Sequence, residues 1–441
     1  MAAPTAILMN VAASLLMVLL SPAPVSTIRS KGQLAKGRPS DVPSIPLMSA
    51  PGVPVLHGSN YLIISSPPNG KVFYTPVANG VSLSDEPEHL IDAGLTEPRG
   101  LAIDSKYGNL YVADTGAQRI YRYGLLVENG NLVTNGIRTT VVTNATVDSV
   151  AVDLEGNLFY TAGSTNNINK LPYKVIKLLS AAALEVTALE IVSAKEMMGE
   201  AAGEAANELK KPTVEILSEG PTDAPGADTE PYIYSMYEAE INPYVTEPGA
   251  IAVDGPALFW TNKANGTKAG SVVQGEVDPQ PPLTGNLSAI EPFPAIALTS
   301  VSETAYGMAK TQNSVFWTTN ESAEDTGVIY GQPLRGGDPM KYVEGLATPK
   351  GLAWDNDATV YVADDKTNLV SAFPIGRQMQ NAPLSRTVAV DGAYGLALLR
   401  SDMPGFTSLQ VQGNSAAYGY RSLRVLMSAA LMAMIAASHS F

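Results

Sequence analysis

The chain has 441 residues, of which 45% are hydrophobic, and it contains 38 glycines, 32 prolines and no cysteine. Its formal net charge is −14, and no dense run of Lys and Arg could neutralise a phosphate backbone, so nucleic acid is excluded as an expected partner. The lack of cysteine excludes disulfides, thiolate metal sites and cysteine nucleophiles, but it leaves an extracellular location open. The many turn-forming residues favour short strands and hence a β-rich globular class.

Residues 1–26 are predicted to be a signal peptide. The apolar run Ala12–Leu20 is followed by the helix-breaking segment Ser21–Pro24, and the run is too short to span a bilayer. Because no Lys or Arg precedes it, an organelle-targeting leader and a buried helix remain alternatives. Residues 27–58 are rich in Pro, Ser and Lys and are interpreted as a disordered lead-in. We therefore expect a secreted or cell-surface protein.

Six imperfect copies of a short apolar segment recur within residues 59–402. The copies end at Asp104, Asp153, Asp254, Lys310, Asp355 and Leu399, with spacings of 49, 101, 56, 45 and 44 residues. Five of them are closely preceded by Gly or by Ser149, as expected where a crowded inner strand leaves no room for a larger side chain. A period of about 40–50 residues with about four strands per copy is typical of a propeller blade. The sequence thus predicts an all-β fold, a six-bladed β-propeller of four-stranded antiparallel blades.

The two ends of this region are predicted to share one blade. Gly395–Leu399 supplies an inner strand without partners after it, and Tyr61–Ile64, Lys71–Tyr74 and His89–Asp92 supply three strands without an inner one. Joining them closes the ring and removes an exposed sheet edge.

The spacing of 101 residues predicts an insertion in the second blade, over residues 174–238. Within it, Ala181–Lys211 has helical spacing of its apolar residues and ends at Pro212, before an acidic, Pro-rich loop. The fourth strand of this blade is predicted at Glu240–Val245. A helix that covers the outer edge of the propeller and a partner-binding arm are both open interpretations of the insertion.

The C-terminus contains a predicted linker, residues 403–424, and a hydrophobic tail, residues 425–441. The tail resembles the signal for replacement by a glycosylphosphatidylinositol anchor, with Asn414 or Ser415 as the attachment residue. A terminal helix packed on the domain and a short tail anchor are the alternatives. Membrane association is expected only through such an anchor.

Four Asn-x-Ser/Thr motifs fall in predicted loops and are candidate glycosylation sites. They are Asn144, Asn265, Asn286 and Asn320.

The repeats resemble those of a known propeller superfamily. Pro98–Asp104 and Pro349–Asp355, each leading to Tyr-Val-Ala-Asp, look like NHL repeats, whereas Phe259–Asn262 and Phe316–Thr319 resemble the related YWTD pattern without its final Asp. The resemblance implies a six-bladed propeller that acts as a protein-binding platform, a receptor module or, less often, a hydrolase or lactonase with a metal in the central channel.

Two groups of carboxylates recur at fixed positions in the repeats. The group after the inner strands is interpreted as capped turns rather than as a ring around a cation: Asp104, Asp153, Asp254 and Asp355. The second group lies in the next turn and consists of Asp114, Asp364 and Asp365. It is expected on the opposite face of the propeller, together with the entry loops that carry Arg99 and Lys350. This face is the predicted binding surface. For the three acids a structural turn role is the alternative.

The leading functional hypothesis is a monomeric, secreted or surface-displayed propeller that binds a protein or a glycan, uses no cofactor and does no chemistry. None of His57, His89 and His439 lies where a central catalytic base is needed, and no catalytic residue is assigned. Whether the protein is an enzyme stays open, because the alternative is a calcium-dependent hydrolase of the lactonase or strictosidine-synthase-like group.

Overall fold

The computed structural model describes residues 60–128, 130–180, 233–264, 271–279, 294–299, 304–321, 326–375 and 381–400, and these form a six-bladed β-propeller. The predicted signal peptide, lead-in, Ala181–Lys211 helix, linker and hydrophobic tail lie outside the described residues, as do Asn265, Asn286, Asn414 and Ser415. The predicted fold class is confirmed.

Each of the first three blades is a four-stranded antiparallel sheet. Strands are numbered in chain order, and those of each blade are given from the inner to the outer strand. The strands are β5 (Pro98–Asp104), β6 (Asn109–Asp114), β7 (Arg119–Glu128) and β8 (Asn131–Val142) in blade 1; β9 (Val147–Val152), β10 (Leu158–Ala162), β11 (Asn167–Leu171) and β12 (Tyr234–Glu238) in blade 2; and β13 (Pro248–Asp254), β14 (Ala257–Asn262), β15 (Val272–Glu276) and β16 (Ile296–Thr299) in blade 3.

Blades 4 and 5 repeat this arrangement, and blade 6 joins the two ends of the propeller as predicted. The strands are β17 (Thr304–Lys310), β18 (Ser314–Glu321), β19 (Thr326–Pro333) and β20 (Met340–Leu346) in blade 4; β21 (Pro349–Trp354), β22 (Thr359–Asp364), β23 (Leu369–Pro374) and β24 (Ser385–Ala389) in blade 5; and β25 (Leu396–Leu399), β1 (Asn60–Ser66), β2 (Lys71–Ala78), β3 (Val81–Ser82) and β4 (Glu88–Ile91) in blade 6.

The ring closes through antiparallel pairing of β25 with β1, in which Ile63 lies opposite Ala397. Each inner strand also contacts the inner strand of the next blade, and β25 contacts β5. Among the described residues, six apolar clusters fill the spaces between neighbouring blades. Trp260 and Trp317 are completely buried in two of these clusters, which accounts for the aromatic second strands of the repeat.

Backbone contacts around the propeller axis explain the small residues that the repeats carry at the start of each inner strand. A Cβ atom on Gly307 would lie 1.9 Å from the carbonyl oxygen of Lys350, and one on Gly395 would lie 1.9 Å from that of Arg99. Both contacts are far inside van der Waals distance, and both involve backbone that cannot swing away. Neighbouring inner strands therefore approach one another as closely as they do only because these positions lack a side chain.

Hydroxyl groups on the second strands link neighbouring blades near the axis. Thr318 Oγ1 accepts a hydrogen bond from Gly307 N (2.8 Å) and donates one to the carbonyl oxygen of Lys350 in the next blade (2.9 Å). Ser65 makes the equivalent pair of bonds, with Gly395 N (2.8 Å) and with the carbonyl oxygen of Arg99 (2.6 Å). The Thr of the YWTD-like segments therefore has a structural role, since it satisfies backbone groups that neighbouring strands leave unpaired.

The fourth strand of blade 2 corrects the prediction. It is β12 (Tyr234–Glu238), which lies inside the range 174–238 assigned to the insertion, and the segment predicted as a strand, Glu240–Val245, forms turns. Asn242 N donates to the carbonyl oxygen of Glu238 (2.7 Å), and Pro243 has no N–H with which to continue a ladder. Burial of Met236 and Tyr237 decides the register instead.

Residues 173–180, named α1 here, follow β11 at the beginning of the insertion and are helical. It is attached to blade 1, where Arg122 Nη1 donates to Ser180 Oγ (2.5 Å) and the ring of Tyr107 stacks on that of Tyr173 with a centroid separation of 4.1 Å. In the described ranges, no helix has the length and apolar character that crossing a membrane requires.

The contacts at the axis predict that Gly307→Ala will destabilise the protein by about 3 kcal/mol or more, because the added methyl group overlaps the backbone of the next blade. Thermal unfolding measures the change. The matched control is Gly163→Ala, whose Cβ would lie 3.5 Å from its nearest neighbour and should leave the melting temperature within about 2 °C of wild type. Equal melting temperatures for the two variants would contradict the proposed close approach.

Candidate functional site

One position in each repeat directs side chains into the mouth of the central channel. It is the residue just before the small residue at the start of each inner strand, where the six strands converge. The residues at this position, in chain order, are Arg99, Asp148, Gly249, Tyr306, Lys350 and Tyr394. In blade 3 the position is a glycine, and Lys263, which follows β14, lies beside it: a Cβ on Gly249 would be 3.1 Å from Lys263 Cγ. We call Arg99, Asp148, Lys263, Tyr306, Lys350 and Tyr394 the mouth cluster.

Asp148 joins three blades through ion pairs. Arg99 Nη1 donates to Asp148 Oδ1 (2.6 Å), and Lys263 Nζ donates to Asp148 Oδ2 (2.5 Å). The opposite edge of the Arg99 guanidinium donates to Glu97 Oε1 through Nη2 (2.6 Å) and Nε (3.1 Å). Only 13% of the Asp148 side chain is exposed, so the carboxylate is almost fully occupied by these two cations. It is therefore shared by Arg99 and Lys263 and has little capacity for a third cation.

Lys350 lies across the channel mouth among aromatic rings. Its Nζ is 4.0 Å from the centroid of the Tyr306 ring and 5.8 Å from that of Tyr394. The Arg99 guanidinium carbon is 5.4 Å from the Tyr394 centroid, so that ring lies against two cations. Electron-rich ring faces attract ammonium and guanidinium groups, most strongly where water is excluded.

The environment of the mouth cluster shifts four of its pKa values, those of Arg99, Asp148, Lys350 and Tyr394. Burial alone would lower the pKa of Arg99, but the electrostatic effect of Tyr394, the hydrogen bond to Glu97 and the charge and hydrogen bond of Asp148 raise it. Burial alone would raise the pKa of Asp148, but the charges and hydrogen bonds of Lys263 and Arg99 outweigh burial and hold that pKa below its usual value. Burial lowers the pKa of Lys350, and Arg99 and Lys263 add to the effect while Asp365 and Asp148 oppose it. Burial also raises the pKa of Tyr394, so this phenol stays protonated.

A cavity of about 120 Å³ opens between these side chains. Asp148, Lys263, Tyr306, Lys350 and Tyr394 line it together with residues at the start of the six inner strands. Its volume corresponds to about four water molecules, at about 30 Å³ each. The site can therefore take one small chemical group, and it presents to that group one cation on an aromatic wall.

Of the predicted binding-face residues, Arg99 and Lys350 belong to the mouth cluster, whereas Asp114 and Asp364 are buried structural acceptors. Asp114 accepts from Thr96 N and Glu97 N, each at 2.8 Å, and from Ala117 N at 3.1 Å. Asp364 accepts from Ala347 N and Thr348 N, each at 2.8 Å. Each carboxylate thus holds the loop that leads into the inner strand of its blade. Asp365 is partly exposed beside this loop, where its charge acts on Lys350.

Asn262 takes the place of the missing final Asp in blade 3. Its Oδ1 accepts from Thr246 N (3.0 Å), and its Nδ2 donates to the carbonyl oxygen of Tyr244 (2.9 Å). An amide can therefore hold the preceding loop as a carboxylate does.

The carboxylates after the inner strands cap turns on the opposite face. Asp104 Oδ1 accepts from Lys106 N and Tyr107 N, each at 3.1 Å. Asp153 and Asp355 likewise accept backbone N–H bonds from their own turns, whereas Asp254 forms an ion pair with Lys310. These contacts agree with capped turns for Asp104, Asp153 and Asp355, and they add an ion pair between blades for Asp254.

The mouth does not fit the calcium site that the lactonase-like alternative would need. Calcium requires six to eight oxygen ligands, of which carboxylates are the principal ones. Asp148 is the one acid among the described residues that line the cavity, and its two oxygens already accept from Arg99 and Lys263. Within the described residues, no group of three or more His, Asp or Glu side chains could hold a metal ion.

Sequence reasoning did not find Asp148, Lys263, Tyr306 and Tyr394. Three of them precede the small residue at the start of an inner strand, which is the same position as Arg99 and Lys350, so the aligned repeats carried a usable signal. Lys263 had no such signal, because it reaches the mouth from the end of a second strand.

The fold and the channel mouth place the protein among the six-bladed β-propellers. No protein-family model matches the sequence, and no curated protein matches it. The propeller in the crystal structure of a nidogen/laminin complex is similar, with 14% identity, a TM-score of 0.50, and coverage of 77% of this chain and 98% of that one. A putative 6-phosphogluconolactonase from Bacteroides fragilis aligns with 12% identity and a TM-score of 0.43, over 77% of this chain and 98% of that one. A gluconolactonase from Xanthomonas campestris aligns with 12% identity and a TM-score of 0.39, over 80% of this chain and 95% of that one. At 14% identity the likeness to the propeller of the nidogen/laminin complex describes the fold alone.

Removal of the Asp148 charge tests the central ion pairs. We expect Asp148→Asn to lower the free energy of unfolding at pH 7 by about 3 kcal/mol, because Arg99 and Lys263 would lose their shared carboxylate in a largely buried site. The pKa of Asp148 is depressed in the folded state, so its contribution is complete above its ordinary value of 3.8 and disappears as the pH falls through the folded-state pKa. The stability difference from wild type, measured by denaturant unfolding, should therefore narrow as the pH falls below about 4.

The matched control is Asp278→Asn, which removes an acid that is 71% exposed and paired with Lys170. This change should alter stability by no more than about 0.5 kcal/mol. A loss for Asp148→Asn that is no larger than that of the control would show that the mouth ion pairs do not hold the three blades together.

Proposed function

We propose that this protein is a secreted or cell-surface propeller that binds a protein or a glycan at the channel mouth and catalyses no reaction. The observation that carries the proposal is the convergence of side chains from six blades on one small cavity, where Lys350 lies over Tyr306 and Asp148 is held by Arg99 and Lys263. Cationic and aromatic side chains are the types enriched where proteins recognise partners. A site whose acid is fully occupied offers a binding wall rather than a general base.

The secreted or cell-surface location rests on sequence features. The apolar run with its helix-breaking segment at the N-terminus, the Asn-x-Ser/Thr motifs and the anchor-like C-terminal tail all favour it. Asn144 is exposed in the loop between β8 and β9, on the same face as the mouth, because Ala145 N donates to the carbonyl oxygen of Gln118 in the turn after Asp114. A glycan at Asn144 would stand beside the mouth without filling it.

Photo-crosslinking tests where ligands bind. A benzophenone amino acid at Tyr306 places the reactive group at the mouth, and the same substitution at Tyr107, which is 41% exposed on the opposite face, is the matched control. Incubated with extracellular material from the natural source, the Tyr306 variant should give discrete protein or glycoprotein adducts that the Tyr107 variant does not give. Adducts from the Tyr107 variant alone would overturn the mouth as the binding site.

Hydrolysis assays test the non-catalytic part of the proposal. We expect no turnover of aldonolactones or simple aryl esters in the presence of calcium, zinc or manganese ions. Calcium-dependent turnover that Lys263→Met or Tyr306→Phe abolishes, while Lys106→Met retains it, would replace this proposal with the lactonase-like one.

Glycosylation gives a separate test of the location. When the chain is expressed in a eukaryotic secretory pathway, Asn144→Gln should remove one glycan, seen as a mass loss that enzymatic deglycosylation equalises. Asn320→Gln should leave the mass unchanged, because Asn320 lies within β18 and its Oδ1 is buried. Secretion with an unmodified Asn144 would contradict the expectation.

A further inference from the structure

We propose that the channel mouth recognises a single carboxylate side chain, an Asp or Glu of a protein partner, through the ammonium group of Lys350. This inference rests on the proposed function and names the chemistry of its ligand. It follows from the charge balance of the mouth cluster, from the position of Lys350 and from the size of the cavity.

The charge balance leaves one cation at the mouth without a carboxylate. Arg99 and Lys263 share Asp148, and Arg99 also binds Glu97. Within the described part of the chain, Lys350 forms no ion pair and no hydrogen bond through Nζ; its contacts are with the rings of Tyr306 and Tyr394. A partly buried ammonium group that lacks a counter-ion gains most from an anion that enters beside it.

The cavity and the rim favour one acidic side chain over a sulfated glycan. A volume of about 120 Å³ holds the few heavy atoms of an Asp or Glu side chain, whereas a sugar ring with its substituents would extend out of it. Glu97 and Asp365 lie at the rim, and the whole chain carries a net charge of −14, so a densely charged polyanion is repelled. A protein surface can instead present one carboxylate among neutral groups. Tyr306 and Tyr394 provide the apolar walls for its methylene groups.

The free protein stabilises the charged form of Lys350 poorly, as expected of a group that recognises an anionic ligand. Burial and the charges of Arg99 and Lys263 lower its pKa, and Asp365 and Asp148 compensate only in part. Since its folded-state pKa lies below its unfolded value of 10.5, the charged form costs folding free energy at neutral pH, and stability rises as the pH increases through the folded-state pKa. A bound carboxylate would restore the counter-charge and raise the pKa of Lys350. Such exchange of stability for binding is common at functional sites.

Two short peptides test the inference: acetyl-Gly-Glu-Gly-amide and its Gln analogue, titrated into wild-type protein whose lysines carry ¹³C-methyl labels for NMR. The Glu peptide should bind at least about tenfold more tightly than the Gln peptide, the difference expected of one charge-assisted hydrogen bond. It should also raise the pKa of the Lys350 signal, and its affinity should fall as the pH rises through the pKa of free Lys350. Equal affinity for the two peptides, or no binding of either, would overturn the inference.

The matched variants are Lys350→Met and Lys106→Met. Lys106 also lies over a tyrosine ring, with Nζ 5.1 Å from the Tyr107 centroid, but it is exposed on the opposite face. Lys350→Met should weaken the Glu peptide about tenfold and raise the melting temperature by about 1–3 °C, whereas Lys106→Met should change neither. A loss of affinity together with a loss of stability in Lys350→Met would indicate a structural role instead.

Inorganic sulfate and heparin complete the experiment. Binding of either at lower concentration than the Glu peptide would assign the site to sulfated glycans and overturn the protein-carboxylate inference. Failure of the Glu peptide while mouth adducts persist in the crosslinking experiment would reject this inference alone. Failure of both experiments would reject the proposed function as well.

Discussion

The close approach of six inner strands around one axis is the constraint on which the rest of the structure depends. A carbonyl oxygen of the neighbouring blade leaves no room for a Cβ atom on Gly307 or on Gly395. Because the backbones meet directly, hydroxyl groups such as Thr318 Oγ1 and Ser65 Oγ can reach from one blade to the next and satisfy the groups left unpaired. The narrow axis also places the residue before each small residue at the mouth, so the same contacts that close the ring create the site.

Because charged side chains from several blades converge at the mouth, the charge state of each depends on the others. Asp148 alone would be a buried acid with a raised pKa, and Arg99 and Lys263 alone would repel each other; together with Glu97, which pairs with Arg99, they form a nearly neutral group that spans three blades. Lys350 does not belong to this group of ion pairs, and its ammonium group lies over the ring of Tyr306. The mouth therefore has one charge that is available to a ligand, and ligand recognition depends on the arrangement of its neighbours as much as on Lys350 itself.

The opposite face differs in character. The carboxylates of Asp104, Asp153 and Asp355 accept hydrogen bonds from backbone N–H groups of their own turns. The helix α1 is attached on this face through Tyr107, Tyr173 and Arg122. Asp114 and Asp364 hold loops on the mouth side in the same way, and both are completely or almost completely buried. Recurrent carboxylates in this chain therefore hold loops, whereas the residues that vary between repeats line the channel.

The sequence by itself determined the fold, the blade count and the shared closing blade, because strand pairing and turn chemistry repeat at a readable period. It also identified Arg99 and Lys350, which lie beside a recognisable Gly. It misplaced the fourth strand of blade 2, where burial of Met236 and Tyr237 outweighed local pattern. Only the tertiary structure brought Asp148, Lys263, Tyr306 and Tyr394 to those cations, since residues up to 295 positions apart, from Arg99 to Tyr394, meet only when the ring closes. The repeat period is a local property of the chain, but a charge balance shared among four blades is not.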